Sequence, residues 1–110
     1  MKEIPQLPAL RTLVLDGCHT VGDEGIVGLA PKCRNLHHLS LYWSVRVTDT
    51  GLCRILRAQR GQDLKHINFS GCKNLGDETI QRIVNRAPLV EILDLTRCPL
   101  VSDAGLQLVL

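Results

Sequence analysis

The sequence predicts an α/β solenoid. Four strand–helix repeats would form a horseshoe segment, with a parallel sheet on the concave face and helices on the convex face. Three observations predict it. One apolar pattern is written four times, beginning at Leu10, Leu36, Leu64 and Val90. Its aspartates fall at positions 23, 49, 77 and 103, so the period is 26, 28 and then 26 residues. A fixed period in this range marks stacked supersecondary units. Within each unit the apolar spacing changes from alternation to helical spacing, which reads as a strand followed by a helix.

The first repeat, about 10–35, carries Leu10, Leu13, Leu15, Cys18, Val21, Asp23 and Ile26. Leu13 and Leu15 alternate as a strand with one buried face. Ile26, Leu29 and Ala30 then keep helical spacing. Pro31 is expected to end or kink that helix near Ala30, because its ring removes a donor and clashes with the preceding turn. The second repeat, about 36–63, runs Leu36, Leu39, Leu41, Ser44, Val47, Asp49 and Leu52. Leu52, Ile55 and Leu56 form its helical face. It holds two extra residues before Leu64, and Gly61 is expected to stop its helix. The third, about 64–89, runs Leu64, Ile67, Phe69, Cys72, Leu75, Asp77 and Ile80, followed by Ile83 and Val84. The fourth, about 90–110, runs Val90, Leu93, Leu95, Cys98, Val101, Asp103 and Leu106. Right-handed crossovers stack such strands in parallel. The whole chain, 1–110, reads as a single repeat domain or a fragment of one.

Two recurring polar positions have local explanations. Each aspartate precedes the helical half by about one turn. It either caps the helix or sits in its first turn, where the dipole favours a negative charge. Cys18, Cys72 and Cys98 share one position with Ser44, where a small side chain with a weak donor can satisfy a buried carbonyl. Serine at that position fits packing and not a metal site.

Composition bounds the function classes. The chain has 110 residues, 45% of them hydrophobic and only 3% aromatic, so its core is built from branched aliphatics that nest layer on layer. A formal charge of +2 gives no argument for nucleic acid. No run of about 20 apolar residues is present to span a membrane, and Met1 to Leu10 lacks the apolar stretch of a secretory signal. The five cysteines include no Cys-x-x-Cys pair. They read as reduced thiols of a cytoplasmic or nuclear chain, with Cys33 buried at the end of the first helical half. No nucleophile elbow, phosphate loop or metalloprotease pair is visible, so the expectation is a protein without catalytic residues, cofactor or metal.

The segments LRTLVLDGCHTVGDEGIVGLAPKC, LHHLSLYWSVRVTDTGL, LKHINFSGCKNLGDETI and LDLTRCPLVSDAGLQLV resemble the cysteine-containing class of leucine-rich repeats. That class is typical of F-box/leucine-rich-repeat proteins, the substrate receptors of SCF-type ubiquitin ligases. It also occurs in F-box-less regulators and in assembly factors. The resemblance implies the horseshoe fold and a protein partner. Too few residues precede the first strand for an F-box, so contact with SCF components would run through a missing segment. The chain is therefore expected to be a fragment, a shortened isoform or an F-box-less relative. Lys2 to Gln6 are too few to cap the first repeat and the chain stops at Val109-Leu110 in mid-helix. The ends are thus expected to be capped by further repeats or a neighbouring subunit, and the isolated chain to be marginal or self-associating.

The strand register selects the residues that face a partner. Outward columns are Thr12, His38, His66 and Ile92; then Val14, Ser40, Asn68 and Asp94; then Asp16, Tyr42, Ser70 and Thr96. Gly17, Trp43, Gly71 and Arg97 follow at the rim. Tyr42 and Trp43 are the single Tyr and the single Trp of the chain, and these residue types anchor interfaces. Trp43 is equally placed to lie over Gly17 or Gly71 as packing. His38 and His66 are neighbours in one column, with no third ligand for a metal. The expected partner contacts are Tyr42, Trp43, His38, His66, Asn68, Asp94 and Arg97. From Lys32 to Arg60 the charges are Lys32, Arg34, Arg46, Arg54, Arg57 and Arg60 against Asp49 alone. That run is either a solvated helix face or a docking patch for an acidic partner or RNA. The leading expectation is the substrate-recognition repeats of a ubiquitin-ligase receptor. The alternative is a structural subunit or assembly factor of a larger complex.

Overall fold

The structure, a computed structural model, describes residues 10–108. Residues 1–9 and 109–110, on which the expectations about a leader and the two end caps rest, lie outside the described residues.

Among the described residues, four three-residue strands alternate with four helices. They are β1 (Thr12–Val14), α1 (Asp23–Leu29), β2 (His38–Ser40), α2 (Asp49–Arg57), β3 (His66–Asn68), α3 (Asp77–Arg86), β4 (Ile92–Asp94) and α4 (Asp103–Gln107). The strands form one open parallel sheet in the order β1-β2-β3-β4. The register pairs Thr12 with His38, His38 with His66 and His66 with Ile92, as the apolar alternation requires. The ladder continues past each strand, through Leu15 N–H to the Ser40 carbonyl, Leu41 N–H to Asn68 and Phe69 N–H to Asp94. The second apolar residue of the first three pairs is thereby fixed in the same sheet.

The core lies between sheet and helices. Leu39, Leu41, Ile67, Phe69, Leu52, Ile55, Leu56 and Ile80 are fully buried, each worth roughly 1.5–3 kcal/mol against exposure. The matching side chains of the outer repeats, Leu13, Leu15, Leu93 and Leu95, are only partly buried. A solenoid layer is covered only by its neighbours, so an outer layer keeps one side open.

Helix ends follow from single residues. α1 stops at Leu29 and a 3-10 turn carries Ala30–Lys32 with Pro31 inside it, as the proline requires. Gly61 does not stop α2, contrary to the expectation: the helix ends at Arg57. The stop is Gln59, which is 93% buried by its 7% exposure. Its Nε2 donates to the Cys33 and Ile55 carbonyls at 2.7 and 2.9 Å, and its Oε1 accepts from Leu36 N–H at 2.9 Å. One amide closes the helix and ties it to the preceding repeat, leaving Gly61 in the bend that follows.

The aspartates open their helices, and they also bond across repeats. Asp23 accepts from the backbone N–H of Thr48 at 2.7 Å and from its hydroxyl. Asp49 accepts from Gly76 N–H at 2.9 Å and from the Thr79 hydroxyl. Asp77 accepts from Ser102 N–H at 2.9 Å and from its hydroxyl. The Ser102 contacts hold the Asp77 carboxyl below the usual carboxylate range. Thr48 and Ser102 in turn cap their own helices by accepting from Thr50 and Gly105. Each carboxylate therefore fastens the start of the next helix. A Cβ on Gly51 would sit 2.5 Å from Asp23 Oδ1, so only a side-chain-free residue fits there.

The cysteine position does what a small donor should. Cys72 Sγ donates to the Leu41 carbonyl at 3.0 Å, Cys98 Sγ to Phe69 at 3.1 Å and Ser44 Oγ to Leu15 at 3.2 Å. All five cysteines are free thiols, with Cys33, Cys53, Cys72 and Cys98 buried. Burial pushes the Cys72 thiol up to about 12 and raises Cys33, Cys53 and Cys98 as well.

Candidate functional site

The sheet's outward columns and the turns after its strands form one continuous surface. Strand direction decides who stands on it. His38 and His66 are half-buried side by side, their rings parallel within 5° and 4.1 Å apart at the centroids. They use each other as one face and offer their remaining edges to the concave surface. Asn68 and Asp94 each fold back on their own strand end: Asn68 Oδ1 accepts from Ser70 N–H at 3.0 Å and Asp94 Oδ1 from Thr96 N–H at 2.9 Å. The Thr96 hydrogen bonds lower the Asp94 carboxyl from its usual range. One lone pair set on each is thus committed to the turn. Ser40 and Ser70 also stand in outward columns, yet they are buried. Asp16 covers Ser40, accepting from its hydroxyl at 2.6 Å and from Tyr42 N–H at 2.9 Å.

The rim is set by backbone conformation. Gly17, Trp43, Gly71 and Arg97 all have positive φ, from 60° to 77°. The chain must turn there in the left-handed region, which glycine enters freely and other residues enter at a cost of about 1–2 kcal/mol. Trp43 and Arg97 accept that cost. The indole lies over Gly71, where a Cβ would come within 2.8 Å of its Cδ2. Of the two glycines flanking Trp43 in this column, only Gly71 is covered; nothing lies within 4 Å of a Cβ on Gly17. Tyr42 meets the indole edge-on at 5.6 Å between centroids and is 38% exposed. Two cations flank the same ring: Lys73 Nζ at 5.4 Å and the Arg97 guanidinium at 5.8 Å. Each contact of this kind contributes about 0.5–1 kcal/mol at an exposed site.

Tyr42, Trp43 and Arg97 are therefore gathered in one aromatic and cationic cluster, with His38, His66, Asn68 and Asp94 on the neighbouring sheet face. Sequence reasoning missed Lys73 and Asp16. Asp16 stood in the third column and could have been found there. Lys73 follows the cysteine position, and nothing local says that it reaches the indole of the preceding repeat.

Among the described residues no group of three or more His, Cys, Asp or Glu side chains is placed to hold a metal. No helix among them is long and apolar enough to cross a membrane. The surface can bind by stacking, hydrogen bonding and charge.

Comparison with known proteins places the chain by its repeats. A family model described as leucine-rich repeat matches residues 6–30 and 87–110. The DNA repair protein rhp7 of Schizosaccharomyces pombe is 33% identical over 101 residues, which is 89% of this chain and 18% of that protein. F-box/LRR-repeat protein 4 of Bos taurus is 28% identical over 101 residues, 92% of this chain and 16% of that protein. The chain thus spans less than a fifth of the length of these curated relatives. A crystal structure of the yeast Rad7 and Elc1 complex superposes with a TM-score of 0.74 at 22% identity, covering 89% of this chain and 26% of that one. The fold is the leucine-rich-repeat solenoid, an open sheet flanked by helices, as the repeat pattern required.

Proposed function

We propose that this chain, a leucine-rich-repeat solenoid of the cysteine-containing class, holds a protein partner on its concave face and the adjoining rim. In the finer reading it supplies substrate-recognition repeats to a ubiquitin-ligase receptor of the F-box/leucine-rich-repeat kind. The observation that carries the reading is the rim cluster. Tyr42 and Trp43, flanked by Lys73 and Arg97, pack on the turn beside the open sheet face. Aromatic and arginine side chains on a preordered backbone are what a binding hot spot requires. His38, His66, Asn68 and Asp94 are the polar contacts beside it. The mechanism is recognition without chemistry on the partner. Similarity to F-box/LRR-repeat protein 4 supports the ligase assignment.

Four strands cover only about 14 Å along the stack, whereas a stable interface takes about 800 Å² per partner. The partner must therefore engage the rim as well as the sheet, or lie across further repeats.

A specific observation supports the second reading, a structural subunit or assembly factor. Leu100, Leu106 and Leu108 on the fourth repeat are 58%, 40% and 44% exposed. Such a flank suits another layer of protein.

The test is quantitative affinity capture from cell extract, comparing wild type with a Trp43→Gly, Tyr42→Ala variant checked for folding. Glycine is the choice at 43 because the turn needs positive φ. The expected result is a protein recovered with wild type and lost with the variant. Recovery of the same stoichiometric neighbours by both overturns the receptor reading in favour of the structural one.

A further inference from the structure

The opposite rim, where the helices end, carries a second surface. Two adjoining hollows of about 330 and 350 Å³ share Arg54, Arg57 and Ala58. Arg34 completes the first and Arg86 the second. Ala30, Pro31 and Val27 give the first an apolar side. Three different elements thus place four arginines along two adjoining hollows: the turn after α1, the last turn of α2 and the end of α3. None of the four is in an ion pair among the described residues, where the single salt bridge is Lys65–Glu91. Nε of Arg34 is buried without a hydrogen-bond partner.

Helix C-termini favour cations, and that alone could explain one or two arginines. Each helix end offers only about half an elementary charge. Three ends cannot balance four full positive charges, so the two hollows keep a net positive potential.

We propose that this cleft binds an Asp/Glu-rich protein segment that places an apolar side chain among its carboxylates. The guanidinium forks match carboxylates two oxygens at a time, and the Ala30–Pro31–Ala58 wall receives the apolar side chain. Single-stranded RNA fits the same charge but needs aromatic platforms for its bases. The aromatic side chains are elsewhere: Phe69 is buried, and Tyr42 and Trp43 stand at the other rim. The acidic protein segment is therefore the occupant the observations favour.

Fluorescence anisotropy on the full chain tests this with three probes: a labelled Glu/Asp peptide containing one leucine, its Gln/Asn counterpart, and a single-stranded RNA of equal charge. The acidic peptide is expected to bind and its neutral counterpart not. Binding should vanish near 1 M salt, where screening acts within about 3 Å. Arg54→Gln with Arg57→Gln should weaken binding by about tenfold or more, and Arg86→Gln, on another helix, should weaken it less. Trp43→Gly should leave it unchanged, which separates this site from the concave-face rim. Failure of the acidic peptide to bind at low salt, indifference to all the arginine variants, or tighter binding of RNA would each overturn the proposal.

Discussion

Replacing Asp49 with alanine tests the idea that the repeats are fastened by carboxylates reaching forward to the next helix. Asp49 accepts from Gly76 N–H at 2.9 Å and from the Thr79 hydroxyl. Both donors are buried, Thr79 with no exposure at all. Alanine leaves both without an acceptor. An unsatisfied buried donor costs about 1–3 kcal/mol, and water entering the space left by the carboxylate recovers part of that. The expected net loss is about 2–4 kcal/mol, a large share of the roughly 5–15 kcal/mol that holds a domain folded. Urea unfolding followed by circular dichroism measures it as a lower midpoint at unchanged slope. Asp103→Ala is the control. Its position in the repeat is the same, but no following helix among the described residues uses its carboxylate, so only the helix-dipole contribution of about 0.3–1 kcal/mol is lost. Equal losses for Asp49→Ala and Asp103→Ala would refute forward fastening and return the aspartates to a purely local role. So would an Asp49→Ala loss below about 0.5 kcal/mol.

Two further outcomes follow from the same geometry. Gly71→Ala should destabilise by about 1–3 kcal/mol, because φ is +77° and the new Cβ meets the indole at 2.8 Å; in a Trp43→Gly background the cost should fall by about 1 kcal/mol, and additivity of the two changes in thermal unfolding would show that the ring does not rest there. With the thiol of Cys72 raised to about 12, its thiolate fraction at pH 8 is about one in ten thousand. Mass-mapped alkylation of the native protein should therefore modify the partly exposed Cys18 first, with Cys33, Cys53, Cys72 and Cys98 reacting only on unfolding, and labelling of Cys72 at the rate of Cys18 would contradict the packing described.

Much of the fold was legible because a repeat states each decision four times. Leu39 and Leu41 alternate, Leu52, Ile55 and Leu56 keep helical spacing, and the same contrast returns in the other repeats. That settles strand, helix and register together, since shifting a strand by one residue would turn its leucines outward. Pro31 ended α1 for a reason carried by its own ring. The end of α2 was misplaced at Gly61, because the residue that closes it, Gln59, acts through the Cys33 carbonyl and Leu36 N–H of the preceding connection. The candidate site was legible by column, from period-two alternation alone. Which members are free to bind was not: Asn68 and Asp94 turn back on their own backbone, and His38 and His66 stack on each other.

By itself the sequence determined the class of fold, the order of its elements, the parallel register, the thiol position and the residues facing outward. These depend on periodicity and on interactions within a turn or two of chain. Only the tertiary structure decided the forward reach of the aspartates, the seat of the Trp43 indole on Gly71 between Lys73 and Arg97, and the lining of two adjoining hollows by Arg34, Arg54, Arg57 and Arg86. Each of these joins side chains about one repeat or more apart, and whether such groups meet depends on how the layers stack and which rotamers the neighbouring layer leaves open.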